Sequence, residues 1–400
     1  MGYTDFAKKV NHNKEIRAVA HHNTILRQIA SFLPRHEFDA LARQHHYGQK
    51  FRTFSRWTQF MLMFIGQLSG RKSLRDLVMN VTAQSSKLYH LAIRPCSRAT
   101  LARSNEKQPA SLYEAVFFRL LEQCRLIAPA HRFKFKNKLY LLDTTTIDLC
   151  LSVFPWAKFR KTKGAVKLHF GLGADGYLPE FMSLTDGKVH ESRWAKALKL
   201  AKGSIVVFDR GFTDYQWYKA LTKNGIFFVT RLKANAVIEA GPKRRGRKAK
   251  GITADREIHL KDIDIAFRLV TYLDPETGKE LHFITNAGHL DAKTVADLYK
   301  ERWQIELFFK WIKQNLKVKT FLGTSKNAVL TQIWIALIVY LLLAFLKFKA
   351  KIGLSLQQIL RLLQLNLFER RNFIDLFKPP ATQLLKNLRR IKQSHNKKGT

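Results

Sequence analysis

"KLYLLDTTTIDL", residues 138–149, decides how the rest of the chain is read. It is an apolar, strand-like run leading into an acid, Asp143. "GSIVVFDRGF" (203–212) repeats the pattern: a buried strand ending in Asp209. Between them, "AVKLHFGLGADGYLPEFMSLTDG" (165–187) reads as two strands joined by Asp175-Gly176, a strong hairpin signal. A helix is expected around "ESRWAKALKLA", a short one over "TDYQWYKALTKNG" with Gly225 as its stop, and a further strand in "IFFVTRL". The order β-β-β-α-β-α-β with long apolar strands predicts a mixed α/β sheet covered on both faces. If the strands of Asp143 and Asp209 are neighbours, both carboxylates lie at one sheet edge, the usual place for a site in such folds.

Outward from this centre the character of the chain changes twice. Residues 1–132 read as helical, with apolar residues at 3–4 spacing in "FSRWTQFMLMFIGQL" and "SLYEAVFFRLLEQCRLI" and with Ser73 and Ser111 as N-caps. Arg94, Arg98 and Arg103 stand where a helix-turn-helix would meet DNA, and plain helical packing is the alternative. After residue 235 come short strands in "REIHL", "AFRLVTYL" and "ELHFITNA", a β-rich insertion over 235–286. Its loop "GPKRRGRKAKG" (241–251) holds six basic residues in eleven. Residues 347–400 read as a helical, basic C-terminal region.

Composition narrows the partners. Lys+Arg is 70 against Asp+Glu 30, a net charge of +40. An excess spread this widely points to a polyanion, nucleic acid or an anionic membrane surface. Three scattered cysteines with no CxxC suit a reducing cytoplasm and argue against zinc or a disulfide framework. "MGYTDFAKKVNHNK" has no apolar signal region. Asn327 to Leu346 is long enough to span a membrane, but polar residues dilute its first half and it reads as a buried core helix.

The remaining carboxylate of interest lies in "YKERWQIELFFKWIKQNL" (299–316). On one continuous helix, Tyr299, Arg302, Glu306 and Lys313 would fall within an arc of roughly 60°. As a solvated stripe, the Arg302–Glu306 pair would contribute only a few tenths of a kcal/mol. As part of a site, Glu306 would join Asp143 and Asp209 as a third hard oxygen donor of the kind Mg²⁺ takes. Arg302, Lys313 and Tyr299 would then hold phosphate oxygens. Cations beside a metal site make sense only if a polyanion lies between.

These residues carry a family resemblance. Asp143, Asp209 and the Tyr299–x2–Arg302–x3–Glu306–x6–Lys313 pattern resemble the DDE transposases of the bacterial insertion-sequence-four family, and "VFDRGFTDY" and "ITN" add to the match. The resemblance implies a ribonuclease-H-like catalytic core over 133–234 and 287–346, the β-rich insertion within it, and a helical DNA-binding N-terminal domain. It implies two Mg²⁺ ions (Mn²⁺ as substitute) on Asp143, Asp209 and Glu306, with Asp143 bridging. Water would cut at the element end and the freed 3′-OH would attack target DNA. It also implies a homodimer pairing two DNA ends, in a bacterial cytoplasm at the nucleoid. A nuclease that never joins strands and a catalytically inactive DNA-binding relative are the alternatives. Two departures are Thr144-Thr145, where Ser is common after the first Asp, and Phe212 in place of Tyr. The insertion has no Trp to hold a flipped base, leaving Phe267, Tyr272 or Phe283.

Other polar residues receive plainer readings. Lys163, Lys167 and Arg210 are further phosphate contacts. His21-His22 and His45-His46 lack the partners of a metal site. His169 lies near the sheet, and His190 is read either as approaching DNA or as a packing or capping residue. Alternation from Asp143 places Asp148 on the opposite strand face, and Asp186-Gly187 reads as a turn.

Overall fold

The protein's computed structural model describes residues 23–46, 51, 53–157, 164–186, 190–244, 249–315 and 321–378. Its helices in chain order are α1 (Ile25–Ala30), α2 (Arg35–Gln44), α3 (Arg56–Leu68), α4 (Leu74–Ala83), α5 (Arg98–Lys107), α6 (Ser111–Arg125), α7 (Glu191–Lys196), α8 (Tyr215–Lys223), α9 (Ala292–Glu301), α10 (Trp303–Asn315), α11 (Lys326–Lys349) and α12 (Leu356–Asn366). Its strands are β1 (Leu139–Leu149), β2 (Gly164–Gly173), β3 (Leu178–Asp186), β4 (Ile205–Phe208), β5 (Phe227–Arg231), β6 (Ile238–Lys243), β7 (Ile252–Leu260), β8 (Ala266–Leu273) and β9 (Glu280–Thr285). The chain divides into two compact units, residues 1–116 with 337–400, and residues 117–336.

Within its described residues the first unit is helical, built around α3. Ser55 caps that helix by accepting from the Thr58 amide at 3.1 Å, and every α3 residue is buried. Burial includes Arg56, whose Nη2 donates to the Pro109 carbonyl at 2.7 Å and whose guanidinium lies 5.3 Å from the Tyr113 ring. Gln59 donates to Asn105 at 3.0 Å, while Arg56 Nε and Gln59 Oε1 are buried without a hydrogen-bond partner. Arg94, Arg98 and Arg103 are exposed. Apolar α11, the candidate span, is buried over 94% of its most hydrophobic stretch, as a core helix is.

The second unit carries a nine-stranded sheet in the order β3-β2-β1-β4-β5-β9-β8-β7-β6. β1, β4 and β5 run parallel, and the other pairings are antiparallel, so the sheet is mixed as the sequence predicts. Alternation distributes the apolar side chains to two faces. Leu142, Phe208 and Phe228 join Trp194 of α7 and Trp217 and Tyr218 of α8 in one cluster. On α10, Phe308 and Phe309 pack against Phe170 of β2, with ring centroids 5.1 and 5.7 Å apart. At the β2–β3 turn, Gly176 and Tyr177 both take positive φ, 66° and 52°, so the Asp-Gly hairpin forms where expected.

Three features correct or complete the sequence reading. Asp143 does not end its strand: β1 continues to Leu149, paired with β2, while its parallel pairing with β4 stops at Leu142↔Phe208. The insertion strands, whose pairing the sequence left open, extend the central sheet through β9, which pairs with β5. The segment from Tyr299 to Lys313 is not one helix. It breaks at Arg302, where the amide donates to the Tyr299 carbonyl at 3.2 Å in a tight turn between α9 and α10.

Candidate active site

The end of β1–β4 pairing builds the site. Asp143 and Asp209 each follow the last parallel pair, so they stand at matching positions on strands about 4.8 Å apart. Asp143 Oδ1 accepts from the Thr144 amide at 2.7 Å. Asp209 caps the 3₁₀ turn Arg210–Phe212, its Oδ1 accepting from the Gly211 amide at 2.8 Å. Each carboxylate is therefore oriented by a backbone donor of its own strand end, leaving its second oxygen for another partner.

Glu306 reaches the same place from the first turn of α10. One guanidinium joins it to the sheet: Arg302 Nη1 donates to Asp143 Oδ2 at 3.0 Å, and Nη2 donates to Glu306 Oε1. The Arg302 side chain is 16% exposed, and its buried Nε has no hydrogen-bond partner. Burial, offset in part by the Thr144 amide and Arg302 and reinforced by the charges of Asp209 and Glu306, pushes the Asp143 carboxyl up to about 7. The three acids thus share one electrostatic environment. Among the described residues no group of three or more His, Cys, Asp or Glu is placed to hold a metal ion as it stands. The donor set nevertheless fits a hard divalent cation: anionic oxygens at a sheet edge, already drawn to a positive group.

The other predicted contacts are distributed unevenly. Tyr299, on α9, packs its ring 4.9 Å from that of Phe283, and Arg302 lies 5.7 Å from the Tyr299 ring. Burial raises the Tyr299 hydroxyl, and the charges of Arg302, Arg231 and Asp209 act on it. Lys313 is half-buried, two turns beyond Glu306 on α10. Arg210 is exposed beside Asp209. Lys167 Nζ lies 3.8 Å from Glu191, whose carboxylate engages it. Lys163, His21, His22 and part of the 241–251 loop (245–248) lie outside the described residues. Asp148 is exposed, on the face opposite the site.

Histidines near the sheet are structural. His169 is fully buried, its ring nitrogens 2.8 Å from Thr144 Oγ1 and 2.7 Å from Thr185 Oγ1, and burial pulls it down to about 4. His190 is the N-cap of α7. Of the three aromatics considered for a flipped base, Phe267 and Phe283 are core residues. Tyr272 is half-buried and lines a cavity of about 560 Å³ together with Trp303, Tyr299 and Arg302.

Two acids escaped the sequence reading. Glu191 opens α7 beside Asp209; burial first, and then the charge of Asp209, raises its carboxyl. A Cβ at Gly211 would collide with Glu191 Oε2, which ties that glycine to this acid. Glu301, at the end of α9, is almost fully buried; it accepts from Tyr177 and, at 2.6 Å, from Arg132. This triad pins the helix junction at which Arg302 turns toward the acids. Glu191 follows a predicted cap and Glu301 precedes Arg302, but nothing in their spacing pairs them with partners 20 to 170 positions away.

Residues 134–342 match the transposase DDE domain family, and residues 21–94 match a domain family of unknown function. The chain is 32% identical over 292 residues to "Putative transposase y4zB" of Sinorhizobium fredii, covering 70% of this chain and 80% of that protein. It is 25% identical over 331 residues to "Probable transposase for insertion sequence element IS5377" of Geobacillus stearothermophilus, covering 81% and 85% of the two chains. With "Putative transposase for insertion sequence element IS4SA" of Synechocystis it shares 25% identity over 284 residues, 69% and 79% of the two. The matched span takes in β1, β4 and the α9–α10 junction that carry the three acids, and the chain belongs to the DDE transposases.

Proposed function

We propose that this transposase works as a member of the insertion-sequence-four group, with a ribonuclease-H-like core in which Asp143, Asp209 and Glu306 are the catalytic acids. The observation that carries the reading is the single guanidinium of Arg302 bonded to both Asp143 and Glu306, which brings acids 163 positions apart in sequence to one point. Two Mg²⁺ ions, or Mn²⁺ in their place, held by these acids would supply an activated nucleophile and neutralise charge at the scissile phosphate. The chain's own residues do the rest. The Thr144 and Gly211 amides fix one oxygen each of Asp143 and Asp209. Arg302, Tyr299 and Lys313 hold phosphate oxygens along α9 and α10, and exposed Arg210 adds a contact on the Asp209 side. Lys167 contributes positive charge while held by Glu191.

The helical N-terminal residues 1–132 and the basic segments 241–251 and 347–400 would provide salt-dependent DNA affinity. The catalytic core comprises 133–234 and 287–346, with 235–286 as the β-rich insertion. DNA element ends and target DNA are the partners, a homodimer pairs the two ends, and the reaction takes place in the cytoplasm.

The test is strand joining. Labelled DNA from the flanks of its own gene is incubated with the protein, Mg²⁺ and a supercoiled plasmid, and label transferred to the plasmid is measured. Transfer is expected. Free 3′-OH ends without transfer would mean a nuclease, and binding with no Mg²⁺-dependent product would mean an inactive relative; either overturns the proposal.

A further inference from the structure

The arrangement of Arg302 carries a consequence for the order of events. Its Nη1 and Nη2 are both committed to carboxylates that are assigned, on the functional reading above, to divalent cations. Of the five N–H groups of a guanidinium these bonds use one on each Nη, and the buried Nε has no partner. The guanidinium thus lies between Asp143 and Glu306, where a cation shared by these two acids would sit. Each carboxylate oxygen has two lone pairs, so the conflict is one of space and like charge: a guanidinium and a divalent cation cannot both sit between these two acids. Arg302 sits at a break between α9 and α10, outside regular helical hydrogen bonding, with its neighbour Glu301 anchored by Tyr177 and Arg132. The backbone is held while the side chain has two sets of anions within its choice.

We propose that Arg302 is a resident cation that blocks divalent-metal loading until DNA is bound: a backbone phosphate draws the guanidinium off Asp143 and Glu306, and the freed oxygens then accept metal. This rests on the reading that those acids bind metal. The coupling is reciprocal by thermodynamic necessity, so DNA tightens metal binding by the factor by which metal tightens DNA binding. In the absence of DNA the acids stay neutralised, and the chain is kept from carrying loaded metals where there is nothing to cut.

Mn²⁺ binding to the full-length protein, read by electron paramagnetic resonance with and without excess random-sequence duplex, tests this directly. Wild-type protein is expected to bind Mn²⁺ weakly alone and roughly tenfold or more tightly with duplex, within the usual range for coupled sites. Free Arg302→Gln should bind Mn²⁺ about as tightly as wild type does with duplex, and added duplex should change it little. Arg302→Lys, which keeps the charge but lacks the planar two-nitrogen fork, should fall between and guards against a misfolded Gln variant. Asp143→Asn and Glu306→Gln separate the two levels of the argument. If they leave Mn²⁺ binding unchanged, the metal assignment itself fails. If they abolish it while free Arg302→Gln and Arg302→Lys bind no more tightly than wild type, the acids hold metal and the block by Arg302 is wrong.

Discussion

Two arginines of the same unit meet carboxylates in opposite ways. Arg268, on β8, is 6% exposed and bonds Asp255 through Nε at 2.8 Å and Nη2 at 2.7 Å, while Nη1 donates to the Ala287 and Leu290 carbonyls. All three of its nitrogens are satisfied, and its acid comes from the neighbouring strand β7. Arg302 spans two acids from different elements, leaves Nε without a partner, and sits where a third acid raises the carboxyl further. A closed, one-to-one pair fixes a sheet. An open arrangement, with more carboxylates than cations and a donor unused, is unfinished chemistry awaiting charged partners.

The comparison is broken most forcefully from its structural side. Arg268→Met leaves Asp255 buried without a counter-charge and should cost about 3–5 kcal/mol in urea unfolding. Next comes the anchor behind Arg302: Tyr177→Phe removes the hydroxyl donated to buried Glu301 and should cost about 1.5–3 kcal/mol, the worth of a hydrogen bond to a charged group.

The open site predicts a pH signature instead. Asp143 releases its proton near 7 when folded but at 3.8 when unfolded, so the folded state binds more protons between those values. Its contribution to stability is therefore present at low pH and lost as pH rises through 7. Metal-free Asp143→Asn should melt above wild type at pH 8, and the gap should close as pH falls from 7 toward 4. Smallest is Gly211→Ala. The new methyl group displaces the mobile end of Glu191, so stability should change by less than about 1 kcal/mol, while Mn²⁺ affinity at the Asp209 side shifts measurably.

Much of this was legible in the sequence because it depends on short-range pattern. Strand periodicity marked β1, β4 and the Asp-Gly hairpin, Asp143 and Asp209 followed from their positions at the ends of apolar runs, and Glu306 from its helical spacing with Tyr299, Arg302 and Lys313. What was hidden depends on pairing across the fold. That β1 outlasts its pairing with β4 is a property of β2 lying on its other side. The signature helix breaks at Arg302, beside a Glu301 held by Tyr177 and Arg132, partners 124 and 169 positions away. That Glu191 stands 3.8 Å from Lys167 Nζ was hidden in the same way. The motif residues "ITN" proved structural at Asn286, which accepts from the Phe228 amide at 2.9 Å and locks the end of β9 to the start of β5.

The central claim is that acids from β1, β4 and α10 act as one catalytic group, whereas the Asp255 pair is architecture. Release of 3′-OH ends from labelled element-end DNA in Mg²⁺, measured per folded molecule, tests both halves together. Asp143→Asn, Asp209→Asn and Glu306→Gln should each lose product by about a thousandfold, near 4 kcal/mol of transition-state stabilisation, while Asp255→Asn that remains folded cuts as wild type does. If any of the three acid variants cuts at the wild-type rate, the grouping of these carboxylates into one active site is wrong.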